Sequence, residues 1–273
     1  MTAAAIVAAS LALAGCSTAA TPSATPSASE LQTLTAGKLT IGTGNPAYEP
    51  WVVGDAPESG EGYEAAVAYA VAEELGFAKS DVVWVRTTFD EAIAPGAKNF
   101  DFNLQQYSIT DERKANVDFS SPYYSTTQTV ITVKGSKADG VTTVEGLKDL
   151  VIGAATGTTS FTAIEEVIKP SNAAQAFNSN DDAKAALQSG QIDALVVDLP
   201  TALYLTAVEL DGGKIVGQLD GSAAGDQFGL VLDKDSGLTA AVSAAVDALE
   251  ADGTLAALQA EWLADYAGAP VLK

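Results

Sequence analysis

The 273-residue sequence contains no histidine and a single cysteine, and its 14 Lys and Arg face 35 Asp and Glu. Without histidine there is no imidazole to ligate a metal, to serve as a general base near neutrality, or to complete a Ser-His or Cys-His pair. One cysteine excludes an internal disulfide. A formal charge of −21 is unsuited to neutralising phosphates, so nucleic acid is not an expected partner. That charge serves solubility, with recruitment of cationic ligands as the lesser alternative. No metal and no cofactor are expected. These absences argue against an enzyme, although carboxylate chemistry stays open.

Long apolar runs are also missing. Ile6 to Ala14 is apolar but too short to span a bilayer as a mature helix. It leads into Leu13-Ala14-Gly15-Cys16, which resembles a bacterial lipobox. The resemblance implies a lipoprotein signal peptide over 1–15 and a lipid on the Cys16 thiol. The alternative is an ordinary N-terminal helix with a free cysteine. Met1-Thr2-Ala3 lacks the positive charge such signals carry. Ser17 to Ser29 is almost wholly Ser, Thr, Ala and Pro, so 16–36 reads as a flexible tether between lipid and fold.

What is present suffices for a folded body: 47 % hydrophobic and 18 % charged residues support a packed core. Strand and helix patterns alternate from about Lys38. Leu39 to Thr43, Val82 to Val85, Thr129 to Val133, Val151 to Ala154 and Ile192 to Val197 read as strands. Helices are expected over Glu64 to Leu75, Ser160 to Ile168, a segment capped by Asn180 and running to Ser189, Leu238 to Leu249, and Leu255 to Leu263. The alternation indicates an α/β fold. Breaks near Ser125 to Gln128 and Gly221 to Gln227 suggest a discontinuous first lobe, 37–127 and 225–273, with a second lobe, 128–224, inserted. Two chain crossings between lobes permit hinge closure over a ligand. A single three-layer sheet fits the periodicity almost as well.

The order of several short motifs resembles the polar amino acid-binding proteins of ABC importers, the extracellular solute-binding proteins of family 3. The motifs are Ile41-Gly42-Thr43 with Tyr48-Glu49-Pro50-Trp51, Gly62-Tyr63-Glu64, Ser108-Ile109-Thr110-Asp111-Glu112-Arg113, and Val117 to Tyr124. They continue with Gly157-Thr158-Thr159, Gly190 to Ala194 with Asp198, and Ala251 to Thr254 with Trp262. Each is weak alone; their sequence over Leu39 to Leu263 is specific. The resemblance implies a two-lobed type II periplasmic-binding fold, a free amino acid in the inter-lobe cleft, delivery to ABC permease subunits, and a monomer. With Cys16, it implies an exported protein on the outer face of the cell membrane.

The resemblance also assigns roles. Arg113 matches the arginine of the Ile-Thr-x-x-Arg signature and would grip the ligand α-carboxylate, for which a guanidinium offers a planar pair of donors. Read alone, it is equally a surface arginine pairing with Asp111 or Asp118. Asp198, ending an apolar strand, would hold the ammonium; with Pro200 close behind, it also fits a helix N-cap. Thr156, Thr158 and Thr159 surround Gly157 at a strand-to-helix corner, where backbone N–H groups favour anions and Thr can cap the helix. Ser108 would add hydrogen bonds. Tyr48, Trp51 and Phe89 are candidate aromatic walls, or ordinary core.

Asn45 stands where many relatives that bind basic amino acids carry aspartate. Gln105-Gln106-Tyr107 replaces the small residues more usual there, so Gln106 and Tyr107 join the expected site. Amides both donate and accept, which points to a neutral polar ligand such as glutamine or asparagine. Glu64 is an alternative charge for a basic ligand, or a first-turn helix acid. Two competing functions share the fold: a cyclohexadienyl dehydratase-like enzyme, needing a carboxyl of raised pKa over its substrate, and a ligand-sensing module.

Overall fold

In the computed structural model, residues 31–220, 226–264 and 268–273 are described; Cys16 and the expected signal and tether over 1–30 lie outside them. Among the described residues ten strands form: β1 (Leu39–Gly44), β2 (Val82–Thr87), β3 (Phe102–Asn103), β4 (Val117–Thr126), β5 (Gln128–Val133), β6 (Ile152–Ala155), β7 (Gln175–Phe177), β8 (Ala194–Asp198), β9 (Gly213–Gln218) and β10 (Asp226–Asp233). They make two separate sheets, β2-β1-β3-β10-β4 and β7-β6-β8-β5-β9, rather than one three-layer sheet. In each, three parallel strands are extended by antiparallel partners. β1 is buried at every position and β8 at all but its last, which is why both read as continuous apolar runs.

The helices are α1 (Tyr63–Glu74), α2 (Phe89–Ile93), α3 (Asp111–Lys114), α4 (Thr159–Ala163), α5 (Asn180–Gln188), α6 (Leu199–Tyr204), α7 (Thr239–Ala251) and α8 (Thr254–Trp262). α4 continues as a π-turn over Ile164–Ile168. α1, α7 and α8 cover the first sheet, joining Leu39, Ile41, Val67, Val71, Leu230 and Val246 in one core. The second sheet has cores on its two faces, one around Ile152, Ile164 and Val196, the other around Ile131, Leu187 and Leu195.

Local chemistry sets several helix starts. Thr88 and Glu91 form a reciprocal capping box on α2, worth about 1 kcal/mol. The cap of α5 is Ser179, not Asn180: the Ser179 hydroxyl accepts from Asp182 N at 3.1 Å, and Asn180 is the first helical residue. Both residues can cap, so spacing alone was ambiguous.

The chain leaves the first sheet at Thr127 and returns between β9 and β10, through residues of which 221–225 are outside the described set. The tail departs from the expected division. Residues 268–273, assigned to the first lobe, pair with the second sheet: Val271 bridges Gln218, Leu272 N donates to Gln218 O at 2.9 Å, and Leu272 is buried in the core around Ile152. A short apolar end segment after the last helix finds an unpaired edge at β9, and its backbone groups are satisfied there.

Candidate functional site

The two sheets face each other across a cavity of about 210 Å³. Its walls contain Arg113, Ser108 and Phe89 from the first unit, and Asp198, Thr156, Thr158, Thr159 and Ser160 from the second. Asn45, Tyr48, Gln105 and Gln106 also line it from the first unit, and Asn178, Ser179 and Asn180 from the second.

Arg113 is only 7 % exposed. It sits in the single-turn helix α3, which Thr110 caps by accepting from Arg113 N at 3.2 Å. Its guanidinium donates to Ser108 O at 2.6 Å and to Gly157 O, on the facing unit, at 2.9 Å. Asp111 pairs with Lys114 and Asp118 with Lys234, so neither acid neutralises it. Five N–H groups in a rigid fork leave donors for a further acceptor. Burial pushes the Arg113 pKa down, and the Tyr107, Asp198 and Asp226 side chains oppose that shift. The Phe89 ring lies 5.2 Å from the guanidinium carbon.

Asp198 closes β8 and occupies the N-cap position of α6, yet its side chain makes no cap bond. It accepts instead from Gln128 Nε2 at 2.8 Å, a nitrogen that also donates to Asp226 Oδ2 at 2.7 Å. Ser160 Oγ fixes the other end of the amide by donating to Gln128 Oε1 at 2.6 Å. Desolvation first, then the Asp226 charge, pushes the Asp198 carboxyl up to about 8, while Gln128 and Arg113 pull it down. A cation in the cavity would restore its ionised form.

At the corner after β6, Thr158 caps α4 by accepting from Phe161 N at 3.2 Å and donates to Ala155 O at 2.7 Å. The first-turn N–H groups of α4 have no intrahelical acceptor and lie beside the cavity. Gly157 has φ +70°, and a Cβ there would stand 2.8 Å from Asp90 Oδ1, so a side chain at this corner would press on the opposite wall. Ser108 and Thr159 hydroxyls meet across the cleft at 3.1 Å, and Tyr48 donates to Asp181 Oδ2 at 3.2 Å.

Two expected residues stand behind the walls. Trp51 is 0 % exposed and packs edge-on against Tyr63, Tyr124 and Phe228; its Nε1 donates to Thr201 Oγ1 at 3.1 Å. Tyr107 is likewise fully buried, stacked on Phe89 with ring centroids 4.7 Å apart. Tyr107 backs the wall residues Phe89 and Gln105, while Trp51 belongs to the core of the first sheet, where a large ring gains most by complete burial. Glu64 is buried beneath Gln106, in the first turn of α1. Gln128, Asp226 and Asn178 escaped the sequence reading: they come from strands and loops distant in sequence and carry no motif of their own. That reading names Gln105 beside Gln106 but does not count it among the site residues. Among the described residues no group of three or more Cys, Asp or Glu could hold a metal ion, and no helix is long and apolar enough to cross a membrane.

The chain is similar to several known amino acid-binding proteins. An L-arginine-binding protein from Pseudomonas aeruginosa is 31 % identical over 78 % of this chain and 83 % of its own length. The ABC transporter glutamine-binding protein GlnH of Bacillus subtilis is 29 % identical over 76 % and 75 % respectively. Among solved structures, an ancestral arginine-binding protein bound to glutamine superposes with a TM-score of 0.70 at 30 % identity, covering 84 % of this chain and 98 % of that one. The two-sheet architecture is thus a type II periplasmic-binding fold. With its family model matching residues 39–265, the chain belongs to the bacterial extracellular solute-binding proteins, family 3.

Proposed function

We propose that this protein captures a free amino acid in the cavity between its sheets and passes it to an ABC importer. The observation that carries the reading is the pair Arg113 and Asp198, one buried cation and one carboxylate on opposing walls of one cavity. A zwitterion is the small molecule that satisfies both. The ligand carboxylate takes the free donors of Arg113 with Thr158, Thr159 and the α4 first turn; the ammonium takes Asp198 with Ser108. Tyr48 and Phe89 flank the aliphatic part. Asn45, Gln105 and Gln106 add neutral amides to the wall, which favours a neutral polar side chain. Lipidation at Cys16, tethering the protein to the outer face of the membrane, belongs to the same reading.

A thermal-shift screen of the twenty free amino acids tests it, since a ligand raises the melting temperature by mass action. A shift with one neutral polar amino acid supports the reading; no shift with any at millimolar concentration contradicts it. A second reading, a dehydratase-like enzyme, rests on the raised Asp198 carboxyl. Turnover of a cyclohexadienyl substrate in the same cavity would favour it.

A further inference from the structure

The two glutamines that line the cavity are each held by a buried side chain, and the partners are chemically opposite. Glu64 is 2 % exposed and points up from α1. It accepts from Gln106 N at 2.8 Å and, through its second oxygen, from Gln106 Nε2; Tyr123 donates to it from below. With its NH₂ on Glu64, Gln106 leaves Oε1 as the other end of the amide; the ionised carboxylate, which only accepts, enforces that orientation, whereas the protonated form can also donate. Gln106 has φ +51°, a conformation rare outside glycine, and the Glu64 bond to its N–H holds it there. Gln105 is held the other way. Tyr107 Oη donates to Gln105 Oε1 at 2.9 Å, leaving Nε2 as its free end. Neither Gln105 Nε2 nor Gln106 Oε1 has a hydrogen-bond partner among the described residues, and both side chains line the cavity.

We infer that Gln105 and Gln106 form a donor–acceptor pair that selects a ligand with a terminal carboxamide, oriented by Tyr107 and Glu64 as positioning residues. The inference rests on the amino acid-binding reading above. A carboxamide offers an acceptor to Gln105 Nε2 and a donor to Gln106 Oε1. A guanidinium or ammonium side chain has donors only and faces the Gln105 NH₂ unfavourably. A carboxylate side chain has acceptors only and faces Gln106 Oε1, with the Glu64 charge behind it. A thioether of similar length leaves both amide ends unpaired.

The test is calorimetric titration of the wild-type chain with L-glutamine, L-asparagine, L-arginine, L-glutamate and L-methionine. The expected result is that one carboxamide binds at least tenfold tighter than the other three. If none of the five binds, this inference is overturned, and the parent reading falls with it only if the screen of all twenty amino acids is also empty. If amino acids bind but arginine, glutamate or methionine matches the carboxamides, this inference alone is overturned. Gln106→Met and Gln105→Met should each reduce the preference for the carboxamide over methionine by tenfold or more. Glu64→Gln supplies a partner that both donates and accepts, so Gln106 can reverse. It should erase the discrimination against glutamate, and a variant that keeps it would overturn the positioning role.

Discussion

Gln128 Nε2 stands 2.8 Å from Asp198 Oδ1, so the first residue of β5, just past the crossing between sheets, holds the carboxylate on the cavity wall. The same nitrogen reaches Asp226, the first residue after the return crossing. Burial, and after it the Asp226 charge, push the Asp198 carboxyl up to about 8, so it binds its ligand cation in competition with a proton. Amino acid affinity should fall as pH drops below about 8, approaching tenfold per unit. Binding at pH 7 should release a proton, measurable as a dependence of the calorimetric heat on buffer ionisation enthalpy. A heat independent of buffer would refute the coupling.

Stability should move the opposite way. The Asp198 carboxyl is raised to about 8 and that of Glu64, by burial, to about 7. Groups raised on folding favour the native state in their protonated form, so their contribution is fully present below the ordinary carboxylate range and lost as pH rises through 7 and 8. The ligand-free protein should therefore melt higher at pH 6 than at pH 8.5. Asp198→Asn should raise the ligand-free melting temperature at pH 8.5, by about 2–4 °C for each kcal/mol of relieved charge burial, while losing ligand binding. Scanning calorimetry at the two pH values checks both.

Arg113→Ala should cost about 2–5 kcal/mol of ligand affinity, the usual consequence of truncating one side of a buried charged contact. Arg113→Lys keeps the charge but loses the fork, and should recover only part of it. Titration of both variants with the ligand found by screening provides the comparison; full affinity in the lysine variant would remove the planar-donor argument.

Trp51 and Phe89 should separate stability from binding. Trp51→Ala empties a fully buried site and should destabilise the fold by about 3–5 kcal/mol. Phe89→Ala removes a half-buried wall against Arg113 and should weaken ligand binding more than it lowers the melting temperature. Denaturant unfolding and ligand titration of the two variants distinguish these outcomes.

Cys16→Ser should release the protein from membranes into the soluble fraction. Fractionation with metabolic lipid labelling reads this directly, and retained label on the serine variant would exclude the proposed anchor.

The sequence made some of this legible because it is local. A buried strand ending in an acid marks Asp198, and a Thr-capped turn four residues long delivers Arg113 to the cleft. Breaks near Ser125 to Gln128 and Gly221 to Gln227 suggest two lobes, but the periodicity fits a single three-layer sheet almost as well, and only the strand pairing separates the two sheets. What escaped depends on contacts between distant segments. No periodicity announces that Gln128 will meet Asp226, 98 residues on, or that the tail at Leu272 will return to β9. Trp51 and Phe89 have the same aromatic character in the sequence, and only packing decides which becomes core. Glu64 reads as a first-turn acid on an ordinary helix, and its burial under Gln106 is visible only once β3 and α1 are assembled.

The sharpest test is whether both ends of one zwitterion are required. Titration of the wild-type protein with its best amino acid, beside the N-acetyl and α-carboxamide derivatives of that amino acid, measures this. One-to-one binding of the free amino acid and a loss of at least a hundredfold with each derivative is the outcome expected here. Undiminished binding of either blocked form would contradict it.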